Sequence, residues 1–332
     1  MSDVKMSGRF QAASGGLSIE EPIFLAGTTR SGTTLLSLML GHHPEIAFVG
    51  ELEWVWDFAP NTAVPALEPY YAWLATHRHY LSHRLRVDRS LGFEDLARSF
   101  LEQMRAQVDP MARRPQVGCQ VHRHYAEALS IWPRARFIHI VRDGRDVCAS
   151  WIRFGWLGNA YEGGLRWGKA LAEWMAVKER VDAARRTELR FEDLIRFPER
   201  ELARLCAFIG TPFSDAMLRY HEDTTYEPVD PAQASKWRSQ LTTRDVRLFE
   251  TVASQDLIAN GYALSGERPY PLRPWSHPLL RIDGKLRHHR ARARIYGTRL
   301  WLADILARRM GVQSLRDRVR LALNDVENAR IK

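Results

Sequence analysis

A chain of 332 residues, 45% of them hydrophobic, is long enough to bury a full core in one large domain or two. Lysine and arginine outnumber aspartate and glutamate by 48 to 39, a net charge of +9, so anionic partners are favoured: nucleotide phosphates, sulfated or phosphorylated molecules, nucleic acid or an anionic membrane surface. The three cysteines, Cys119, Cys148 and Cys206, are odd in number and set far apart in apolar runs, which argues against a disulfide framework or zinc site and for a reducing compartment; no signal-type apolar segment or uncharged spanning window is visible, so a cytoplasmic protein is expected.

Residues 1–20 are polar and rich in Gly and Ser, and a disordered leader is expected there. The stretch PIFLAGTTRSGTTLLSLMLG, residues 22–41, then reads as a buried strand, a tight glycine loop from Gly27 to Gly32, and a helix opening at Thr33. Such a junction aims unpaired N–H groups and the positive end of a helix dipole at one point, and Ser31, Thr33 and Thr34 add hydroxyl donors, so an anion belongs there. The glycine spacing is that of an ATPase phosphate loop, but Thr33 stands where that loop needs lysine and the cation is Arg30, two residues before.

Further along, Ile46 to Val49 reads as a second strand ending in Gly50-Glu51-Leu52-Glu53-Trp54, which delivers acidic side chains at the strand's end. Residues 56–87 alternate aromatics, prolines, His and Arg, and read either as an irregular acceptor-binding lid or as an aromatic-packed helical hairpin. A helix is expected over residues 93–108, a strand over 116–121, a helix over 125–132, and a strand from Arg136 that ends in Arg142-Asp143-Gly144-Arg145-Asp146. A helix beginning at Cys148 puts Ser150 eight residues after Arg142, so that both can face one anion beside the first loop, while Asp143 and Asp146 brace the turn. Helices over 164–184, from Pro198 to the Gly210 cap and over 245–260, with a strand over 187–191, complete an alternation that implies a parallel sheet covered on both faces.

These motifs give the chain its resemblance. It resembles the sulfotransferases that use 3'-phosphoadenylyl sulfate (PAPS), in the branch that includes bacterial and tyrosylprotein sulfotransferases. Arg30-Ser-Gly-Thr-Thr-Leu35 is similar to that family's 5'-phosphosulfate loop, and residues 136–150, RFIHIVRDGRDVCAS, to its 3'-phosphate motif. Leu189-Arg-Phe-Glu-Asp-Leu194 resembles the segment beside the adenine, and Ser235-Lys-Trp237 a cofactor-contacting segment of the tyrosylprotein enzymes. The resemblance covers residues 21–264 and implies an α/β, P-loop-like parallel sheet flanked by helices. It implies PAPS as cofactor, held by Arg30, Ser31, Gly32, Thr33, Thr34, Arg142, Ser150, Phe191 and Lys236, with Arg30 balancing charge on the leaving phosphate and no metal required. It also implies a hydroxyl-bearing acceptor, whether small molecule, lipid, glycan or peptide, and no nucleic acid.

Three residues compete for the role of general base. Glu51 lies near the glutamate of the Gly-Glu-Glu-Thr-Arg context in tyrosylprotein enzymes, with Glu53 the other acid of this sequence; His122, in Gln-Val-His122, falls where cytosolic sulfotransferases have Lys-Thr-His. A glutamate needs apolar neighbours to raise its pKa, and Trp54, Trp56 and Phe58 could supply them, whereas a histidine starts near neutrality. The competing function is a nucleotide kinase or nucleotide-binding module built on the same strand-loop-helix frame. Residues 266–332 form a separate basic extension, a Pro-rich linker followed by a basic amphipathic helix, suited to packing on its own domain, to a second subunit or to an anionic membrane.

Overall fold

The computed structural model describes residues 19–58 and 64–331; apart from its last two residues, the expected leader lies outside them. β1 (Ile23–Ala26) enters the glycine loop and α1 (Thr33–Gly41), and β2 (Ile46–Glu51) follows. Three helices, α2 (Leu67–Leu74), α3 (Arg78–His83) and α4 (Phe93–Val108), lead to β3 (Gln116–Val121), and α5 (Tyr125–Ile131) leads to β4 (Arg136–Val141). Beyond it come α6 (Gly144–Arg153), α7 (Ala160–Arg180), β5 (Arg186–Arg190), α8 (Phe191–Arg196), α9 (Pro198–Ile209), α10 (Trp237–Gln240) and α11 (Thr243–Ala259). The extension contributes α12 (Ser276–Tyr296), α13 (Thr298–Met310) and α14 (Gln313–Ile331).

The five strands form one parallel sheet in the order β2-β3-β1-β4-β5, with β1 at its centre. This is the α/β parallel-sheet fold that the alternating strand and helix pattern implies. Successive residues of β1 go to opposite faces: Phe24 and Ala26 join Cys119, Val121 and Phe137 under Trp54 and Trp132, while Ile23 and Leu25 join Ile138, Ile140 and Leu189 under α1, α8 and α9. Burial on both faces is why these strands read as unbroken apolar runs. A third cluster, built on Val147, Trp151, Trp167 and Phe249, ties α6, α7 and α11 together and takes in Leu280 of α12. Cys119, Cys148 and Cys206 are free and buried in these cores.

The chain reverses direction across the sheet on either side of β1, so the loops after β1, β3 and β4 open side by side at the carboxyl edge, where ligands bind in open parallel sheets. At the end of β2 the register with β3 shifts between Phe48 and Glu51, where Gly50 takes φ of 92°, a left-handed conformation that side chains resist. That kink brings Glu51 and Glu53 to the same edge.

Several boundaries differ from the sequence reading, each for a local reason. α6 begins at Gly144, one turn before Cys148, because the Asp143 carboxylate accepts the Arg145 N–H at 2.9 Å and caps it. α7 begins at Ala160 because Asn159 caps it, accepting the Glu162 N–H at 3.1 Å. Phe191 opens α8 and is not the last residue of β5. Residues 67–83 are two short helices packed by aromatics, with Tyr70 stacked on Trp73 and the Trp73 and His77 rings tilted against each other with centres 4.3 Å apart. The Pro-rich stretch ends at Ser276, and Pro278 is accommodated in the first turn of α12, where its missing N–H has no carbonyl to serve. No helix among the described residues is long and apolar enough to cross a membrane.

Candidate active site

The first loop is shaped by two glycines. A Cβ on Gly27 would meet the Ile140 carbonyl oxygen at 2.8 Å, and Gly32, with φ of 100°, lies so close to Phe191 that a Cβ would fall 2.3 Å from its ring. Past Gly32 the first helical hydrogen bond runs from the Leu36 N–H to the Gly32 carbonyl, and no side chain caps α1. The amides of Thr33, Thr34 and Leu35 therefore have no partner within the helix and point toward whatever occupies the loop. Ser31 is placed differently from the reading as a hydroxyl donor: its N–H and Oγ both go to the Thr28 carbonyl, at 3.1 and 2.6 Å, and the side chain is buried. It locks the loop's shape.

Arg30 takes φ of 74°, an unfavourable region for a non-glycine residue, and is held there by its surroundings. Its Nε donates to Ser150 Oγ at 3.0 Å, and its guanidinium lies 4.6 Å from the Phe154 ring centre. Burial lowers its pKa, with the nearby Arg153 and Arg142 cations acting in the same direction and Tyr226 opposing. Ser150 thus meets Arg30 and not Arg142, and the expected pair eight residues apart is joined through Arg30 instead. Arg142 lies over the Phe191 ring at 4.3 Å and donates to the Gln233 carbonyl at 2.9 Å, while its Nε is buried without a hydrogen-bond partner. Half-buried cations crowded together, one with an orphaned buried donor, fit an anion.

Arg30, Gly32, Thr33, Thr34, Arg142 and Phe191 line a cavity of about 370 Å³, closed on its far side by residues 225–230 and Gln233. Asp146 fixes that closing segment: its two carboxylate oxygens accept the Ser235 N–H at 2.9 Å and the Trp237 N–H at 2.6 Å. Lys236 is not on the cavity wall, and its ammonium donates to Gln233 Oε1 at 2.6 Å. Trp151 of α6 donates to Thr29 Oγ1 at 2.9 Å and couples the loop after β1 to the motif after β4.

On the other side of the loop the candidate bases come together. Nitrogen and oxygen atoms of Glu51, Glu53 and His122 lie within 4.8 Å of one another. His122 Nδ1 meets Glu53 Oε1 at 3.1 Å and its Nε2 meets Thr33 Oγ1 at 3.1 Å, both contacts buried. Burial alone would depress His122, but the Glu53 carboxylate outweighs it and raises the imidazole above its ordinary value; burial would raise Glu53, but His122 and then Arg123 outweigh it and leave the carboxyl below its ordinary value. Each of Glu53 and His122 favours the other's charged form. Arg123 adds a contact to Glu53 at 3.3 Å and forks onto Asp57. Glu51 stands outside this pair, 3.2 Å from His79 Nε2. Glu51, Glu53, His79, Arg123 and Thr29 share a second cavity of about 660 Å³, whose remaining wall includes residues of α12, α13 and α14.

A sequence profile of the sulfotransferase family matches residues 22–215, which span β1 to the turn after α9 and contain both anion loops. The chain belongs to the sulfotransferase family. It is 23% identical over 256 residues to a fly (Drosophila melanogaster) protein-tyrosine sulfotransferase, covering 70% of this chain and 50% of the fly protein. It is 25% identical over 281 residues to protein-tyrosine sulfotransferase 1 of zebrafish (Danio rerio), covering 76% of this chain and 75% of that protein. The chain thus spans half the length of the fly relative. In fold it resembles the sulfotransferase domain from the curacin biosynthetic pathway, with a TM-score of 0.52, 18% identity, and 74% of this chain and 98% of that one covered.

Sequence reasoning missed three parts of this candidate site. Arg123 follows His122 directly, but its pairing with Glu53 and Asp57 has no local signature. The segment at 225–233 carries no motif and becomes a cavity wall through contacts with distant residues, among them Arg142 and Tyr220. The participation of the extension was not legible at all.

Proposed function

We propose that this sulfotransferase moves the sulfuryl group of PAPS to a hydroxyl acceptor, with Glu51 as general base. One observation carries the reading: the loop after β1 borders two cavities at once, Thr29 facing the chamber of Glu51 and Arg30 facing the chamber of Arg142. The α1 amides and Arg30 hold the 5' side, Arg142 the 3'-phosphate, and Phe191 the adenine. Glu51 takes the acceptor's proton as its oxygen bonds to sulfur, and the bond from sulfur to the bridging oxygen breaks. Charge gathering on the departing phosphate is met by Arg30 and the loop amides, so positioning and electrostatics supply most of the catalysis. Glu53 and His122 support the loop: an imidazolium donating to Thr33 Oγ1 leaves the Thr33 hydroxyl proton free for the phosphosulfate. The relatives named as protein-tyrosine sulfotransferases make a phenol a reasonable first acceptor to assay.

Ligand linkage separates this from a kinase. Adenosine 3',5'-bisphosphate should raise the melting temperature where ATP with magnesium does not, and the reverse order would end the proposal. Arg142→Ala should weaken the bisphosphate by roughly 2 kcal/mol, about thirtyfold, while barely changing a nucleotide without the 3'-phosphate. Equal weakening of both nucleotides would assign Arg142 to the fold.

A further inference from the structure

The 660 Å³ cavity in front of Glu51 is of the size that small molecules occupy, and half of its wall lies outside the residues matched by the family profile. The extension is built onto the core at this place. Arg320 donates to Thr76 Oγ1 and Asn324 to the Thr76 carbonyl, each at 3.1 Å, and Glu327 of α14 lies 3.6 Å from Arg78. The cavity wall carries six arginines, Arg78, Arg123, Arg292, Arg308, Arg316 and Arg320, against the four carboxylates of Glu51, Glu53, Asp304 and Glu327.

The excess is concentrated on α14. Asp304 serves both Arg292 and Arg308, at 3.1 and 2.9 Å, and the remaining acids serve Arg78, Arg123, His79 and His122. Arg316 donates only to the carbonyls of Ala307 and Arg308, each at 3.1 Å, and Arg320 only to the Thr76 hydroxyl; among the described residues neither has a carboxylate within ion-pair distance. Both residues are exposed to solvent, and their guanidinium groups are fixed in direction without a carboxylate partner. His77 on the same wall feels the result: burial first, then His79 and the Arg320, Arg123 and Arg78 cations, push it down to about 3. An anionic acceptor would give these two arginines the partner that the chain itself does not supply.

We infer that the acceptor is a small hydroxyl compound carrying a phosphate or other anionic group, with its hydroxyl at Glu51 and its anion seated on Arg316 and Arg320 of the C-terminal helix. A guanidinium forks onto phosphate or carboxylate through two parallel hydrogen bonds, and one held by backbone carbonyls gives up little freedom in doing so. The inference rests on the sulfotransferase reading above and goes beyond it in naming the substrate class and assigning the extension to acceptor recognition. A phosphomonoester in solution and a phospholipid headgroup would present the same chemistry.

The test uses the full chain saturated with adenosine 3',5'-bisphosphate, so that the nucleotide cavity cannot take the probe. Two matched probes, 4-hydroxyphenyl phosphate and hydroquinone, are titrated by calorimetry. The phosphorylated probe should bind at least tenfold more tightly, and Arg316→Gln with Arg320→Gln should erase that preference while nucleotide binding persists. Thr76→Val, which removes the docking contact of Arg320 but neither charge, should retain it. Equal or absent binding of the two probes by the parent protein overturns the inference whether or not the double variant folds, and so does an undiminished preference in a folded double variant. Failure of the bisphosphate itself to bind would instead overturn the sulfotransferase reading. In a parallel arm, vesicles of phosphatidylcholine with phosphatidylinositol 4-phosphate are sedimented with the protein. Co-sedimentation that the double variant abolishes assigns a lipid headgroup, and its absence assigns a soluble phosphomonoester.

Discussion

Glu53 and His122 hold each other, and on the proposed reading neither is the base. A base must be unprotonated and able to accept; the Glu53 carboxylate is buried and tied to His122 and Arg123, and Glu53 raises the His122 imidazole above its ordinary value. Glu51 stands on the cavity wall outside that pair, in contact with His79 at 3.2 Å. Glu51→Gln should therefore lower kcat on the order of a hundredfold or more with nucleotide affinity nearly unchanged, since the amide keeps the shape but cannot take a proton. Retained turnover in that variant, together with loss in His122→Asn with nucleotide still bound, would move the base to His122. The pair also has a pH signature. The raised His122 pKa gives stability that is present below the ordinary imidazole value and is lost as pH rises through the folded value. The lowered Glu53 pKa gives stability that is present above the ordinary carboxyl value and is lost as pH falls through the folded value. The pair is therefore strongest in the window between the two folded values. In Glu53→Gln burial and the Arg123 cation are opposed only by the weaker pull of Glu51, so the His122 titration followed by NMR should move down; an upward or absent shift would contradict the pairing.

At the scale of elements, the site depends on α6 holding two other segments in place. Trp151 reaches the loop after β1, and Asp146, in the first turn, binds the backbone of 235–237 through both oxygens. Burial, more than the opposing Arg142 charge and the Trp237 N–H, pushes Asp146 up to about 6. A carboxyl raised in the native state binds more protons there than in the unfolded chain between its ordinary value and about 6, so its contribution makes stability fall as pH rises through that window. Asp146→Asn should flatten that slope. It also leaves one of the two N–H donors facing an NH2 group, and the loosened 225–237 segment should weaken adenosine 3',5'-bisphosphate by roughly tenfold, or about 1.4 kcal/mol, in titrations near neutral pH. Unchanged affinity would show that the segment closes the cavity without Asp146.

For the whole molecule, the decisive contact is the one between core and extension. Asn159 caps α7 with its carbonyl oxygen and with its Nδ2 donates to the Leu280 carbonyl of α12 at 2.7 Å, so one side chain starts a core helix and docks the extension. Beside it Gly158 lies so close to α12 that an added Cβ would fall 1.8 Å from the Gly284 carbonyl oxygen, a backbone atom that cannot rotate away. Gly158→Ala should push α12 off the core. Limited proteolysis should then cut within residues 266–275, and acceptor turnover should fall at least tenfold while bisphosphate binding is kept, because the nucleotide cavity draws no residue from the extension. Joint loss of nucleotide binding and acceptor turnover would mean that the extension supports the sheet as well.

The strand, glycine loop and helix of residues 22–41 and the run from Arg136 through Ser150 were legible in the sequence because each is local: apolar periodicity, glycine spacing and an arginine at a strand end are encoded within a few residues of one another. They determined the parallel sheet, the two anion loops and, through resemblance, the family. The choice among Glu51, Glu53 and His122 was not local, since it turned on a contact across 69 residues between the ends of β2 and β3. Tertiary structure also turned Ser31 inward, gave Ser150 to Arg30 and left Lys236 off the wall, because which hydroxyl or cation faces a cavity depends on neighbours that composition does not name. The basic C-terminal stretch was visible as charge alone. Only the docking of α14 on Thr76 turned that charge into a wall of the chamber beside Glu51.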